Sequence, residues 1–482
     1  MTRVLTVVVV LLSCAARPAA ASGDRRLADA AQRRDRAAIQ TLLSGRADVN
    51  GRQPDGATAL HWAAHWDDAE TVARLVGAGA RVDLPNDLGV TPLSLACVNG
   101  SARVARVLLD AGADPNLALP SGETPLMTAA RSGGLDLVTL LLERGADLEA
   151  REPARSQTAL MWALSEKQHD VVGRLLEWGA DPAARSKSGF TPLLFAARNG
   201  DVPSATLLLD RRVDVNAAAA DGVTPLLAAT VRGFVPMIVF LLDRGADANA
   251  STTGYTALHW AAGSWETELS GPRGVRIERD DEWEGVRGLG EARVRVIQAL
   301  LAHGANPNAL VEKAPPRVGF SVFRTSALNG ATPYWIAAMS GQVEAMRALA
   351  AAGADTRRAA KDGTTPLMAA SGVGRVLAET RVTLEQSVQA ARLAIEGGSD
   401  VNATNTAGDT ALHGAAHIRS DALVQLLADR GARLDVKNRR GETPLMISER
   451  SIAAGSAPVF ERTSTGDLLR KLGASDSKPP SP

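Results

Sequence analysis

The chain has 482 residues, more than one compact hydrophobic core accommodates, and its 53 basic side chains equal its 53 acidic side chains. This balance excludes the overall basic excess that is typical of polyanion-binding proteins, so nucleic acid is not an expected partner. Aromatic residues make up only 4% of the chain, which favours a core of small and aliphatic side chains on helices.

The first 21 residues predict an export signal. Arg3 precedes a short apolar run from Val4 to Leu12, and Ala19-Ala20-Ala21 offers a cleavage site before Ser22. This run is far shorter than the ~20 apolar residues that span a bilayer, and no other segment is long and apolar enough, so the mature chain is expected to have no transmembrane helix. An alternative is that Leu11-Leu12-Ser13-Cys14 is a bacterial lipobox, with Cys14 as the lipidation site. We therefore expect a bacterial protein that is periplasmic or secreted, or else lipid-anchored to an envelope membrane.

An internal repeat occupies about residues 24–474. Thr58-Ala59-Leu60-His61 recurs in variant form, usually 33 residues apart. Most copies end with a motif such as Gly112-Ala113-Asp114-Pro115-Asn116. The threonines that open the copies, called the repeat threonines below, are Thr58, Thr91, Thr124, Thr158, Thr191, Thr224, Thr256, Thr332, Thr365, Thr410 and Thr443. The pattern resembles the ankyrin repeat, D-x-x-G-x-T-P-L-H-x-A-A followed by L-L-x-x-G-A-D-V-N-A. The resemblance implies an all-α ankyrin-repeat solenoid of about twelve helix pairs with divergent end caps and β-turn tips.

Local chemistry predicts the same two helices in each copy. Thr91 is a good cap residue for a first helix that ends at Gly100. Apolar positions from Val104 to Leu108 form one face of a second helix, which ends at Gly112. One pair cannot bury both of its faces, so stacking of the copies supplies the core. Cys97 occupies a small core position of the first helix, where we expect a buried and unreactive thiol.

The spacing of the repeat threonines divides the chain. Thr256 and Thr332 lie 76 residues apart, and Thr365 and Thr410 lie 45 apart, so the array contains insertions, with a further irregularity at 451–465. The predicted segments are a signal peptide (1–21), repeats with an N-terminal cap at 24–50 and an insertion at about 265–291 (22–310), an inserted inter-repeat loop (311–329), repeats with a C-terminal cap (330–474) and a disordered tail (475–482).

Two groups of residues are candidates for partner binding. The insertions contain aromatic side chains, which are scarce in this chain: Trp265, Trp283, Phe320 and Phe323. The insertions are either recognition loops for a partner or segments that pack on the array with a small core of their own. The resemblance implies contacts through the turn tips and the exposed positions of the first helix, which correspond to the residue before each repeat threonine and the seventh and eighth after it. Arginine and aromatic residues, which are enriched at interfaces, occupy these positions at Trp66, Arg131, Phe190, Arg198, Arg232 and Tyr255. Four further tryptophans are expected to be core residues: Trp62, Trp162, Trp260 and Trp335.

Catalytic signatures are missing from the sequence. There is no G-x-S-x-G, P-loop or dinucleotide fingerprint, and the pairs His61/His65 and His413/His417 lack the glutamate of zinc proteases. The resemblance implies instead that His61, His259 and His413 bond to the backbone of the adjoining turn. No catalytic, cofactor-binding or metal-binding residue is predicted. We expect a monomeric, non-catalytic scaffold that binds a protein partner; the alternatives are a secreted effector acting on host proteins, or a ligand, metal or enzymatic site within the insertions.

Overall fold

The computed structural model describes residues 24–264, 289–313, 328–375, 382–451 and 459–475. Within these ranges the chain forms twelve pairs of α-helices, named R1 to R12 in chain order. The strands among the described residues are β1 (Arg450–Ser451) and β2 (Val459–Phe460), which pair antiparallel inside R12. The prediction of an all-α ankyrin fold is therefore confirmed.

The helix bounds follow the repeat threonines closely. The first helices of R1 to R12 span Arg26–Gln32, Ala59–His65, Pro92–Val98, Pro125–Ser132, Ala159–Ser165, Pro192–Asn199, Pro225–Val231, Ala257–Ala262, Pro333–Met339, Pro366–Ala370, Ala411–His417 and Pro444–Glu449. The second helices span Arg36–Ser44, Ala69–Gly77, Ala102–Asp110, Leu135–Glu143, His169–Glu177, Val202–Leu209, Val235–Asp243, Arg293–Ala302, Val343–Ala351, Leu384–Glu396, Asp421–Asp429 and Ser464–Leu472. A 3₁₀ turn, Gly290–Ala292, precedes the second helix of R8.

The repeat threonines begin the first helices by capping. In R3 the Oγ1 atom of Thr91 accepts a hydrogen bond of 3.1 Å from the backbone N–H of Ser94, which satisfies a free donor of the first turn. Ala96 and Cys97 are fully buried on this helix, where their small size allows the neighbouring helices to approach. The predicted burial of Cys97 is confirmed, and burial raises the pKa of its thiol well above the usual range.

The contacts divide the chain into two compact units, residues 1–213 and 214–482. The first unit contains R1 to R6 and the second contains R7 to R12. Within each unit, first helices pack on the first helices of adjacent repeats and second helices pack on second helices. Each repeat therefore draws its stability from its immediate neighbours.

Asparagine side chains link successive repeats at the end of the second helix. The side chain of Asn116 accepts from the N–H of Asp147 at 2.7 Å and donates to the carbonyl of Gly145 at 3.0 Å. Asn249 makes the same pair of bonds to Asn306 (2.7 Å) and Gly304 (2.8 Å), although the insertion of R8 lies between them in sequence. The stacking geometry of R7 on R8 is therefore the ordinary one.

Several predicted segments lie partly or wholly outside the described residues. These are the signal peptide 1–21, most of the insertions at 265–291 and 311–329, and residues 476–482 of the tail. R1 falls within the predicted cap at 24–50. None of the described helices combines the length and apolarity needed to cross a membrane.

Candidate partner-binding surface

In three repeats, the side chain of the residue before the repeat threonine contacts the side chain of the residue seven positions after it. In R4, Arg131 Nη2 lies 3.0 Å from Glu123 Oε1, and the hydroxyl of Thr128 donates to the same carboxylate oxygen at 2.7 Å. The guanidinium carbon of Arg131 lies 4.9 Å from the ring centroid of Trp162 in R5. Arg131 is thus held by a carboxylate and a ring, and 40% of its side chain stays exposed.

The same two positions meet in R6 and R12. The guanidinium of Arg198 lies over the rings of Phe190 (5.9 Å) and Phe195 (5.1 Å), and Arg450 pairs with Glu442 at 2.8 Å. The family resemblance implied that residues at these two positions contact a partner independently. In the structure, the residue before the threonine fixes the orientation of the arginine seven residues after it.

Phe190 and Tyr255 were predicted as surface contacts, and this is wrong. Phe190 is 3% exposed because its ring packs edge-on against Phe195, with centroids 5.8 Å apart. Tyr255 is 2% exposed and packs against Trp260 at 6.3 Å. Burial raises the pKa of the Tyr255 hydroxyl well above its usual range. A large ring before the threonine turns into the junction between repeats, where apolar area is removed from water.

An aromatic cluster at R1 and R2, called the tryptophan patch, consists of Arg34, Trp62, His65 and Trp66. The rings of Trp62 and Trp66 are stacked with centroids 6.3 Å apart, and His65 lies edge-on to Trp66 at 4.7 Å. The guanidinium of Arg34 lies 5.6 Å from the Trp66 ring, and 38% of Trp66 is exposed. The patch presents stacked rings and a cation to solvent.

The tryptophans predicted as core fall into two classes. Trp260 and Trp335 are buried, and Trp335 Nε1 donates to the carbonyl of Thr364 at 2.8 Å. Trp62 and Trp162 are only half-buried, so the prediction is wrong for them. Both lie four residues after a repeat threonine, as does the buried Trp260, so the position in the repeat does not by itself decide burial. Trp62 Nε1 donates to Gln53 Oε1 at 2.7 Å.

The other candidate residues are not brought together by the described structure. Arg232 is half-buried at the end of the first helix of R7. Cys14, Trp265, Trp283, Phe320 and Phe323 lie outside the described residues.

The three repeat histidines bond to backbone as expected. Nδ1 of His61 accepts from the N–H of Thr58 at 3.1 Å, so Nε2 carries the hydrogen and donates to the carbonyl of Val90 at 3.0 Å. His259 reaches Ala309 and His413 reaches Glu442 in the same way. Burial lowers the pKa of His61 and of His259 to about 4. Both ring nitrogens are occupied, which leaves these imidazoles no lone pair for a metal.

The turn between first and second helix is interrupted in R8, R10 and R12, every second repeat of the second unit. In regular repeats the carbonyl five residues after the threonine accepts a backbone N–H, as in R9, where Gln342 donates to Ala337 at 2.9 Å. In R8, R10 and R12 an arginine side chain donates to this carbonyl: Arg293 to Ala261 (2.7 Å), Arg375 to Ala370 (3.4 Å) and Arg419 to Ser448 (3.2 Å). Each guanidinium also lies at a helix C-terminus, where positive charge is favourable.

Sequence reasoning missed these arginines. Arg293 and Arg375 are 9% and 3% exposed, and burial lowers the pKa of Arg375 to about 10. Arg293 and Arg375 lie beside an interruption of the repeat in sequence, which does not reveal a distant carbonyl acceptor, and Arg419 lies in the regular turn of R11. Among the residues that the structure describes, no group of three or more His, Cys, Asp or Glu side chains is arranged to hold a metal ion.

Comparison with known proteins agrees with this geometry. Models of ankyrin repeats match residues 27–118, 111–186, 193–268 and 407–439. The chain is 33% identical over 166 residues to the human neurogenic locus notch homolog protein 1, covering 28% of this chain and 6% of the relative. It is 34% identical over 119 residues to the Drosophila melanogaster ankyrin repeat and KH domain-containing protein mask, covering 24% and 3%. The chain thus spans a small fraction of the length of these relatives.

Among solved structures, the ankyrin repeat domain of human ASB11 is similar, with 28% identity, a TM-score of 0.42 and coverage of 46% of this chain and 98% of that domain. The repeat threonines, the stacked helix pairs and the family matches lead to one conclusion: the chain belongs to the ankyrin-repeat family.

Proposed function

We propose that this protein is a non-catalytic interaction scaffold, exported to the bacterial envelope, that binds a protein partner through the tryptophan patch and the exposed first-helix positions of the first unit. The observation that carries the proposal is Trp66, a large ring that is 38% exposed beside a cation in a chain with few aromatic residues. Tryptophan and arginine dominate binding energy at protein interfaces.

Arginines held on rings support the same surface. The guanidinium of Arg131 on Trp162 and that of Arg198 on Phe195 are fixed before any partner arrives. An ordered side chain loses less conformational entropy on binding than a free one, which favours affinity. Both arginines lie at the same position of the first helix, two repeats apart.

The insertions with Trp265, Trp283, Phe320 and Phe323 are proposed as additional contacts with the partner. The proposal of export is based on the sequence of residues 1–21. Sequencing of the mature N-terminus distinguishes cleavage before Ser22 from lipidation at Cys14. Detection of the full precursor in the cytoplasmic fraction alone would contradict export.

Affinity capture of the mature protein from envelope extracts tests the interaction. Trp66→Ala is expected to weaken recovery of a specific partner, since a central tryptophan contributes roughly 2 kcal/mol or more to an interface. Trp178→Ala is the matched control, because Trp178 is 45% exposed at the end of the second helix of R5, away from the patch. Equal loss in both variants, or no specific partner at all, would argue against the proposal.

A further inference from the structure

Polar side chains cross the junction between R11 and R12, and one of them is the repeat histidine His413. His413 Nε2 donates to the carbonyl of Glu442 in R12 at 3.2 Å. Three carboxylates of R11 and its turns accept hydrogen bonds from R12: Asp409 from Asn438 (2.9 Å), Asp421 from Thr465 (2.5 Å) and Asp435 from Ser475 (2.9 Å).

The imidazole of His413 makes its two hydrogen bonds to the backbone, at Thr410 and at Glu442, in its neutral form. Nδ1 accepts from the N–H of Thr410 at 3.0 Å, inside a site that is 2% exposed. A proton on Nδ1 removes that acceptor and leaves a buried N–H unsatisfied. In a released junction the ring is solvated and takes up a proton below about pH 6.5. Acid therefore favours release.

Charges around His413 come from both sides of the junction. Asp409 of its own turn and Glu442 of R12 favour the protonated ring, while burial, the larger effect, opposes it and lowers the pKa of His413. Glu442 is itself paired with Arg440 and Arg450 at 2.8 Å. From R10, the carbonyl of Arg375 accepts from His417, one helical turn away.

The junction between R11 and R12 differs in its surroundings from the other two junctions that contain a repeat histidine. Among the repeats that the structure describes, R2 and R8 each pack on a neighbour on both sides, whereas R12 packs on R11. We propose that R12 detaches from R11 as the pH falls below about 6.5 while the remaining repeats stay folded, which uncovers the face of R11 that R12 covers. The device is conformational and does not depend on the identity of the partner.

Thiol labelling of the full chain tests the proposal. Met446→Cys places a thiol at a site in R12 that is 6% exposed. The labelling rate of a small free thiol, measured at the same two pH values, corrects for the effect of pH on the reagent. With a pyridyl disulfide, which reacts with thiols in acid, the corrected labelling rate at position 446 is expected to be about tenfold higher at pH 5 than at pH 7, because protonation of the released imidazole below about pH 6.5 shifts the equilibrium towards the open form.

Two further variants make the test specific. His413→Met is expected to abolish the acceleration, since methionine already occupies this position in Met127, Met161 and Met368. His61→Met, which removes the same bond in R2, is expected to leave it unchanged. Labelling that is equally slow at both pH values, or acceleration that persists in His413→Met, overturns the proposal. If Met446→Cys does not fold, hydrogen exchange of residues 444–449 and 464–472, corrected for intrinsic pH dependence, gives the same readout in the natural chain.

Discussion

Arg293 donates a hydrogen bond of 2.7 Å to the carbonyl oxygen of Ala261, 32 residues earlier in the chain. In a regular repeat this carbonyl accepts a hydrogen bond from a backbone N–H of the turn, as in R9, whereas in R8 it accepts one from a side chain of the second helix. The guanidinium thus supplies a donor to a carbonyl at the end of the first helix, where helical carbonyls lack a partner within the helix. Long insertions are then compatible with an unchanged stack.

Arg293→Met is expected to lower the free energy of unfolding by roughly 2 kcal/mol, because it removes the guanidinium that donates to the carbonyl of Ala261. Urea denaturation followed by circular dichroism measures the change. Arg295, which is exposed two residues later, provides the control: Arg295→Met is expected to change stability by less than about 0.5 kcal/mol. Equal effects of the two substitutions would show that the bond to Ala261 contributes little.

The regular part of the fold is predictable from sequence because its causes are local. Thr91 caps its own helix, and Cys97 is small where the next repeat approaches. Exposure at the candidate surface was less predictable, since it depends on neighbours: Phe190 turns inward onto Phe195, whereas Trp66 stacks on Trp62 and stays exposed. The acceptor of Arg293 lies across an insertion, and no local pattern indicates it.

Substitution of Phe190 distinguishes a core residue from a contact residue. Phe190→Ala is expected to cost roughly 3 kcal/mol or more of stability, because it opens a cavity beside Phe195 and removes a ring beneath Arg198. Trp66→Ala removes a ring that is more than a third exposed and is expected to cost clearly less. Thermal unfolding of both variants shows which substitution causes the larger loss of stability. A larger loss for Trp66→Ala would place the patch, and not Phe190, in the core.

The asparagine link across the insertion of R8 is expected to contribute through each of its two bonds. Asn249→Asp keeps the acceptor for the N–H of Asn306 but loses the donor to Gly304, with an expected cost of about 1 kcal/mol; Asn249→Ala loses both bonds, with a cost of about 2 kcal/mol. Asp83 and Glu149 already make the single acceptor bond in the first unit, so a carboxylate fits. Equal urea midpoints for the two variants would contradict a two-bond link.

Acid is expected to destabilise the array through His61 and His259. The pKa of each is lowered to about 4 in the folded chain, from an ordinary value of 6.5, so the unfolded chain binds protons first as the pH falls. Their stabilising contribution is complete above pH 6.5 and is lost as the pH falls from 6.5 towards 4, at about 1.4 kcal/mol per pH unit for each histidine. Urea midpoints measured between pH 7 and pH 5 give the slope. His61→Met is expected to reduce this slope. A slope that is insensitive to His61→Met would mean that this imidazole is not held neutral by its bonds to Thr58 and Val90.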